Sequence, residues 1–220
     1  MQPSRHFLAT IVMLGASAFV HAAGSGLAGN YHVHGQNPDG RTYEGALHVE
    51  QKGDVYGVTW ESGGTTHGTG VFAGNQFVVA YGEAACGVIA YRREGAGILQ
   101  GVWAMPNSTA TGHETATPSS SGGTSVVGDY VVSGSNTDGT PYKGALFVND
   151  QGDEHKLLFG WRTGQDSRGF GFSHQGVIAA AYGASSCGLV SYTLGADGSL
   201  DGRWSMFKGG FGSEQATKAD

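Results

Sequence analysis

Charge is scarce in this chain. Only 14% of its 220 residues are Asp, Glu, Lys or Arg. No basic run exists to track phosphates, so nucleic acid is not an expected partner. With 12 Lys+Arg against 18 Asp+Glu, an anionic membrane surface is disfavoured as well. Beyond the N-terminus no stretch is apolar enough for a transmembrane segment, which needs about 20 apolar residues. Catalytic signatures are missing too. There is no Gly-x-Ser-x-Gly elbow, and neither cysteine has a repeated His to activate it. Gly68-Thr69-Gly70 and Gly169-Phe170-Gly171 stand in strand-like context with no helix after them, so they are not phosphate loops. The acid pairs Asp39/Glu44 and Asp197/Asp201 form no repeated calcium loop. These absences argue against an enzyme and call for no cofactor.

Glycine is abundant instead, at 40 residues, which suits short strands joined by tight turns. One long pattern also occurs twice. Gly29-Asn30-Tyr31 opens the first copy and Gly128-Asp129-Tyr130 the second. Asn37-x-Asp39-Gly40-x-x-Tyr43-x-Gly45-Ala46-Leu47 matches Asn136-x-Asp138-Gly139-x-x-Tyr142-x-Gly144-Ala145-Leu146. Trp60 then matches Trp161, Tyr81-Gly82 matches Tyr182-Gly183, and Cys86-Gly87 matches Cys187-Gly188. Tyr91, Gly101-x-Trp103 and Glu114 match Tyr192, Gly202-x-Trp204 and Glu214. A repeat this long is a structural unit copied whole.

Met1 to Ala23 have the form of a cleavable export signal, with Arg5 as the positive region, Phe7 to Val20 apolar, and Val20-His21-Ala22 as the cleavage site. Its removal takes one basic residue and no acidic one, so the exported chain is more acidic than the formal −6 of the whole sequence. The expected location is the periplasm or the extracellular space. In that setting Cys86 and Cys187 invite a disulfide. They are equivalents, one per copy, so a bridge within one repeat is impossible; two buried free thiols are the alternative.

Residues of alternating character over Tyr43–Val49 and Tyr142–Val148 predict half-buried strands. Phe77–Tyr81 and Ile178–Tyr182 are short continuous apolar runs, and the Asn-x-Asp-Gly segments predict hairpin turns. No segment of the exported chain has a helical pattern. Each copy supplies roughly seven or eight strands, which predicts an all-β fold of two tandem up-and-down antiparallel barrels, one per repeat. The expected division is a signal peptide over 1–23, a first barrel over 24–117, a Ser/Gly linker over 118–125 and a second barrel over 126–217. An internal pseudo-dimer of the two repeats follows, and the alternative is one merged assembly in which neither half folds alone.

The run Gly-x-Tyr-x-Val-x-Gly-x-Asn-x-Asp-Gly-x-x-Tyr-x-Gly, with a mid-repeat Trp, Gly-x-Trp and a closing Gly-x-Glu, resembles small exported alphaproteobacterial proteins. Those proteins are often described as hypothetical or "fibronectin-binding". The resemblance covers nearly all of the exported chain, once per half, and implies no catalytic residues. This chain departs from it in being duplicated and in having Ser213 where Thr is usual before the closing Glu. The architecture is also similar to avidin-type and lipocalin-type barrels, an analogy of fold that identifies no ligand.

Three sets of side chains are candidates for function. His32 and His34 share a strand face and His48 lies on the next strand, so the three could hold zinc, copper or nickel. The second copy has Val131, Ser133 and Phe147 in their places, which favours a solvated face. Trp60, Trp103, Trp161 and Trp204 all recur, either packing the barrels or lining a ligand cavity. Glu114 and Glu214 could anchor a ligand, act as a base, or tie a terminal strand to an amide or arginine. The leading expectation is a non-enzymatic exported binding or interaction module with a protein, glycan or small-molecule partner. A carrier of a small apolar or aromatic ligand inside the barrels comes next, and then a structural envelope or matrix component. Barrels filled by their tryptophans would exclude the carrier.

Overall fold

The computed structural model describes residues 26–82, 86–120, 125–152 and 155–219. The expected signal peptide, residues 1–23, lies outside them. Each copy contributes eight strands. The first gives β1 (Gly29–Gln36), β2 (Thr42–Lys52), β3 (Val55–Glu61), β4 (Thr65–Ala73), β5 (Gln76–Tyr81), β6 (Gly87–Arg93), β7 (Leu99–Ala104) and β8 (Gly112–Pro118). The second gives β9 (Gly128–Ser135), β10 (Pro141–Asp150), β11 (Lys156–Arg162), β12 (Asp166–His174), β13 (Val177–Tyr182), β14 (Gly188–Leu194), β15 (Leu200–Met206) and β16 (Phe211–Lys218). No helix among the described residues is long and apolar enough to cross a membrane.

Local sequence explains the strands and their turns. In β1, Tyr31 and Val33 point inward while His32 and His34 point out, the alternation a half-buried strand requires. Between β1 and β2 the Gly40 amide donates to the Asn37 carbonyl at 2.9 Å, and the Arg41 amide donates to the Asp39 carboxylate at 3.1 Å. Gly40 has φ +85°, a left-handed value that glycine adopts without strain. The matching turn in the second copy has the Gly139 amide on the Asn136 carbonyl, also at 2.9 Å.

The strands close into two antiparallel eight-stranded barrels. The first runs β1-β16-β15-β14-β5-β4-β3-β2 and the second β10-β11-β12-β13-β6-β7-β8-β9. Two tandem antiparallel barrels are as expected, but the allotment of one barrel to each repeat needs correction. Each barrel takes five strands from one copy and three from the other. The chain leaves the first barrel after β5 and returns at β14, so β5 pairs with β14 and β6 pairs with β13. Because the copies are alike, β14 offers β5 the same ladder that β6 would offer in an unexchanged barrel. Segment 118–125, expected as the linker between barrels, instead joins neighbouring strands β8 and β9 of the same barrel. The crossings from barrel to barrel lie at 82–86 and 183–187, where Cys86 and Cys187 form a disulfide with Cα atoms 5.7 Å apart.

Three apolar clusters hold the assembly. One lies inside each barrel, and a third lies between them, built on Val71, Val78, Ala80, Val88, Phe170, Ala179 and Leu189. The four crossing strands β5, β6, β13 and β14 are therefore buried on both faces, which accounts for their continuous apolar runs. Each fully buried Val, Leu or Phe side chain among them contributes about 1.5–3 kcal/mol. One end of the first barrel is sealed by Leu27, whose carbonyl accepts the Tyr31 hydroxyl at 2.5 Å. Val126 and Tyr130 repeat that contact in the second barrel at 2.7 Å.

Candidate functional site

The other end of each barrel holds an open pocket. The first, about 400 Å³, is lined by Tyr43, Trp60, Tyr81, Tyr192, Trp204 and Glu214 with Asn37, Ser62, Thr66, Val190 and Met206. The second, about 460 Å³, has Tyr142, Trp161, Tyr182, Tyr91's neighbour Ile89, Trp103 and Glu114, with Asn136, Thr163, Ser167 and Met105 at matching places. Both volumes lie in the range of small-molecule sites, about 300–1,000 Å³. A smaller cavity of about 230 Å³ lies beside the crossing, touching Tyr56, Gly82, Cys86 and Asn107.

A buried glutamate organises each pocket, and both are only 4% exposed. In the first barrel Glu214 Oε1 accepts the Trp60 indole N–H at 2.9 Å and the Tyr192 hydroxyl, while Oε2 accepts the Tyr43 hydroxyl at 2.8 Å. In the second, Glu114 Oε1 accepts the Trp161 N–H at 3.2 Å and the Tyr91 hydroxyl, and Oε2 accepts the Tyr142 hydroxyl at 3.0 Å. The glutamates therefore bind phenols and indoles, in place of the backbone amide or arginine expected for them. Buried carboxylates need such donors, because an unpaired buried charge costs several kcal/mol. The outer indoles differ slightly. Trp103 Nε1 donates to the Tyr142 hydroxyl at 3.1 Å, whereas Trp204 Nε1 is buried without a completed hydrogen bond, its ring edge-on to Tyr43 at 6.5 Å.

Burial raises the Glu114 carboxyl above its ordinary value, and the hydrogen bonds from Tyr91, Tyr142 and Trp161 oppose that rise. Burial and then the glutamate's negative field push Tyr43, Tyr142, Tyr81 and Tyr182 far above the normal phenol range. Tyr91 and Tyr192, wholly enclosed, move the same way for the same reasons. These phenols are permanent hydrogen-bond donors at neutral pH.

Glycines seat the rings. Directly across the ladder, Tyr43 faces Gly35, Tyr81 faces Gly188, Tyr192 faces Gly202 and Trp204 faces Gly212. The second barrel repeats this with Tyr142 on Gly134, Tyr182 on Gly87, Tyr91 on Gly101 and Trp103 on Gly112. A Cβ at any of these eight glycines would overlap the ring. Much of the glycine content thus serves to lay aromatic rings flat against bare backbone, as aromatic–glycine cross-strand pairs do.

All four recurring tryptophans line the pockets: Trp60 and Trp161 are deeply buried, and Trp103 and Trp204 are half-buried nearer the opening. His32, His34 and His48 are exposed on the outer wall and are not brought together. His48 Nδ1 meets Asn30 Oδ1 at 2.7 Å, and His34 Nδ1 lies 3.7 Å from Glu44. No group of three or more His, Cys, Asp or Glu among the described residues is placed to hold a metal. The tyrosines of the site were missed as candidates by sequence reasoning, although Tyr43, Tyr81 and Tyr91 all recur in the second copy. Their recurrence was the available signal. No family model matches this chain, and no curated protein or solved structure is significantly similar to it.

Proposed function

We propose that this is an exported small-molecule binding protein with one site in the mouth of each barrel. The observation that carries the reading is the pair of pockets, about 400 and 460 Å³, lined largely by equivalent residues around a buried glutamate. Eight-stranded barrels are wide enough either to be filled by their own side chains or to hold one small ligand. Here the tryptophans line space and leave it open, which favours the carrier over a filled scaffold. The phenols, held protonated by burial and by the carboxylate, serve as donors that hold the glutamate in place and not as nucleophiles. That supports binding over covalent catalysis.

The test is native mass spectrometry of the protein purified from its own host, paired with tryptophan emission during titration with the host's small-molecule extract. The expected result is retained mass equivalent to one or two ligands per chain, together with altered emission. A chain carrying only its own mass, with emission unmoved by the extract, would overturn the reading.

A further inference from the structure

Resting on that reading, we infer that both pockets recognise a small organic ammonium ion, its charged head against Oε2 of Glu214 or Glu114 and its apolar body between the indole and phenol rings. Among the described residues, the glutamate is the only Asp, Glu, Lys, Arg or His lining either pocket. No lysine, arginine or histidine is there to meet an anion. An ionised carboxylate offers about four lone-pair positions. The Trp N–H and two phenols occupy three of them, two on Oε1 and one on Oε2. One acceptor position on Oε2 thus stays open in each barrel, at an atom already held in place by a tyrosine.

The surrounding rings point to the same ligand charge. Aromatic faces carry negative potential and attract a desolvated cation placed over them. Trp60, Tyr81 and Trp204 present that surface in one pocket, and Trp161, Tyr182 and Trp103 in the other. Trp60 and Tyr81 lie with centroids 5.4 Å apart and planes at 55°, and Trp161 and Tyr182 at 5.6 Å and 55°. The two barrels keep the same tilted pair. An anionic or acceptor-only ligand would find Trp60, Tyr43 and Tyr192 of one barrel, and Trp161, Tyr142 and Tyr91 of the other, already donating to the glutamate. The excess of acidic over basic residues adds long-range attraction for cations.

Three probes of one shape and different charge separate the possibilities: 2-phenylethylammonium, 2-phenylethanol and phenylacetate. Each is titrated calorimetrically into the signal-free protein and into a Glu114→Gln/Glu214→Gln double variant. The ammonium is expected to bind two sites per chain at least about tenfold more tightly than the alcohol, with phenylacetate weakest. The double variant should bind the ammonium no better than the alcohol. Gln retains an acceptor oxygen and the side-chain shape, and if the variant fails to fold, the ranking on the unaltered protein decides alone. Equal or tighter binding of the alcohol or the carboxylate, a preference that survives both substitutions, or no binding of any probe would overturn the inference. The carrier reading fails separately, through the absence of any retained host ligand, and a neutral ligand retained from the host would sustain it while refuting the ammonium.

Discussion

Replacing Gly101 with Ala tests whether the glycines exist to seat the aromatic rings. A Cβ at this position would stand 2.6 Å from Tyr91 Cε1, 2.7 Å from Cδ1 and 3.2 Å from Ile89 Cδ1. Ordinary contact begins near 3.4 Å, so the ring must retreat by roughly 0.8 Å in a site where Tyr91 has no exposed surface. Overpacking of this kind costs about 1–3 kcal/mol. Moving the phenol also weakens its bond to the Glu114 carboxylate, and hydrogen bonds to charged groups are worth about 1.5–3 kcal/mol. Alanine returns about 0.4–1 kcal/mol by restricting the unfolded chain. The net expectation is a loss of roughly 2–5 kcal/mol. Gly160→Ala is the control, because a Cβ there meets nothing within 4 Å. Urea denaturation followed by tryptophan emission measures both. A double-mutant cycle with Tyr91→Ala should show that most of the cost vanishes once the ring is gone. Gly101→Ala within about 0.5 kcal/mol of the unaltered protein, the ordinary range for an exposed surface change, would refute the reasoning.

Burial raises the hydroxyl of every one of the nine tyrosines above its usual value of 10.0. A raised folded-state value means stability is complete below pH 10 and falls as pH climbs above it. Phenolate absorbance should therefore rise in a cooperative step that coincides with loss of the β signal in circular dichroism; independent titration in a folded chain would contradict this. Reducing Cys86–Cys187 opens a link between residues 101 apart in sequence. In the chain-entropy account a loop of that order contributes about 4–5 kcal/mol, so the denaturation midpoint should fall sharply on reduction. Complete thiol release with an unmoved midpoint would argue against that account. Residues 24–120 expressed alone supply five strands of one barrel and three of the other. They should sediment as a strand-exchanged dimer, cross-linked through Cys86 under oxidation; a folded monomer would count against the inter-barrel core as the force behind exchange.

The repeat made the strands, the hairpin turns and the closed-barrel class legible. Alternation placed Leu47 and Val49 inside and His48 outside, where the structure has them. The continuous run Phe77–Tyr81 also carried information, since only a strand covered on both faces tolerates it. Strand allotment was not legible. The ladder partners Gly87 and Gly188 are chemically interchangeable beside Tyr81 or Tyr182, so local pattern cannot choose between an exchanged and an unexchanged barrel. The contacts that join the two barrels are long-range: Val78, Ala80, Val88 and Ala90 share one buried cluster with Ala179, Ala181 and Leu189, and Cys86 is bonded to Cys187. The site was hidden for the same reason. Tyr43 and Glu214 are 171 residues apart, and Trp60 and Glu214 are 154 apart.

Strand exchange gives the duplication a consequence beyond two copies of one site. The first pocket takes Tyr43, Trp60 and Tyr81 from one repeat and Tyr192, Trp204 and Glu214 from the other. The second inverts the contributions, with Trp103 and Glu114 supplied by the first repeat to Tyr142, Trp161 and Tyr182 of the second. Each repeat carries the full set of rings and the carboxylate, but strand exchange divides that set between the two barrels, so each pocket is completed by side chains of both copies. The strands on either side of the first crossing serve different pockets: Tyr81, at the end of β5, lines one, and Gly87, at the start of β6, seats the ring of Tyr182 in the other. The disulfide joins Cys86, just before β6, to Cys187, just before β14, and so ties one passage between the barrels to the other.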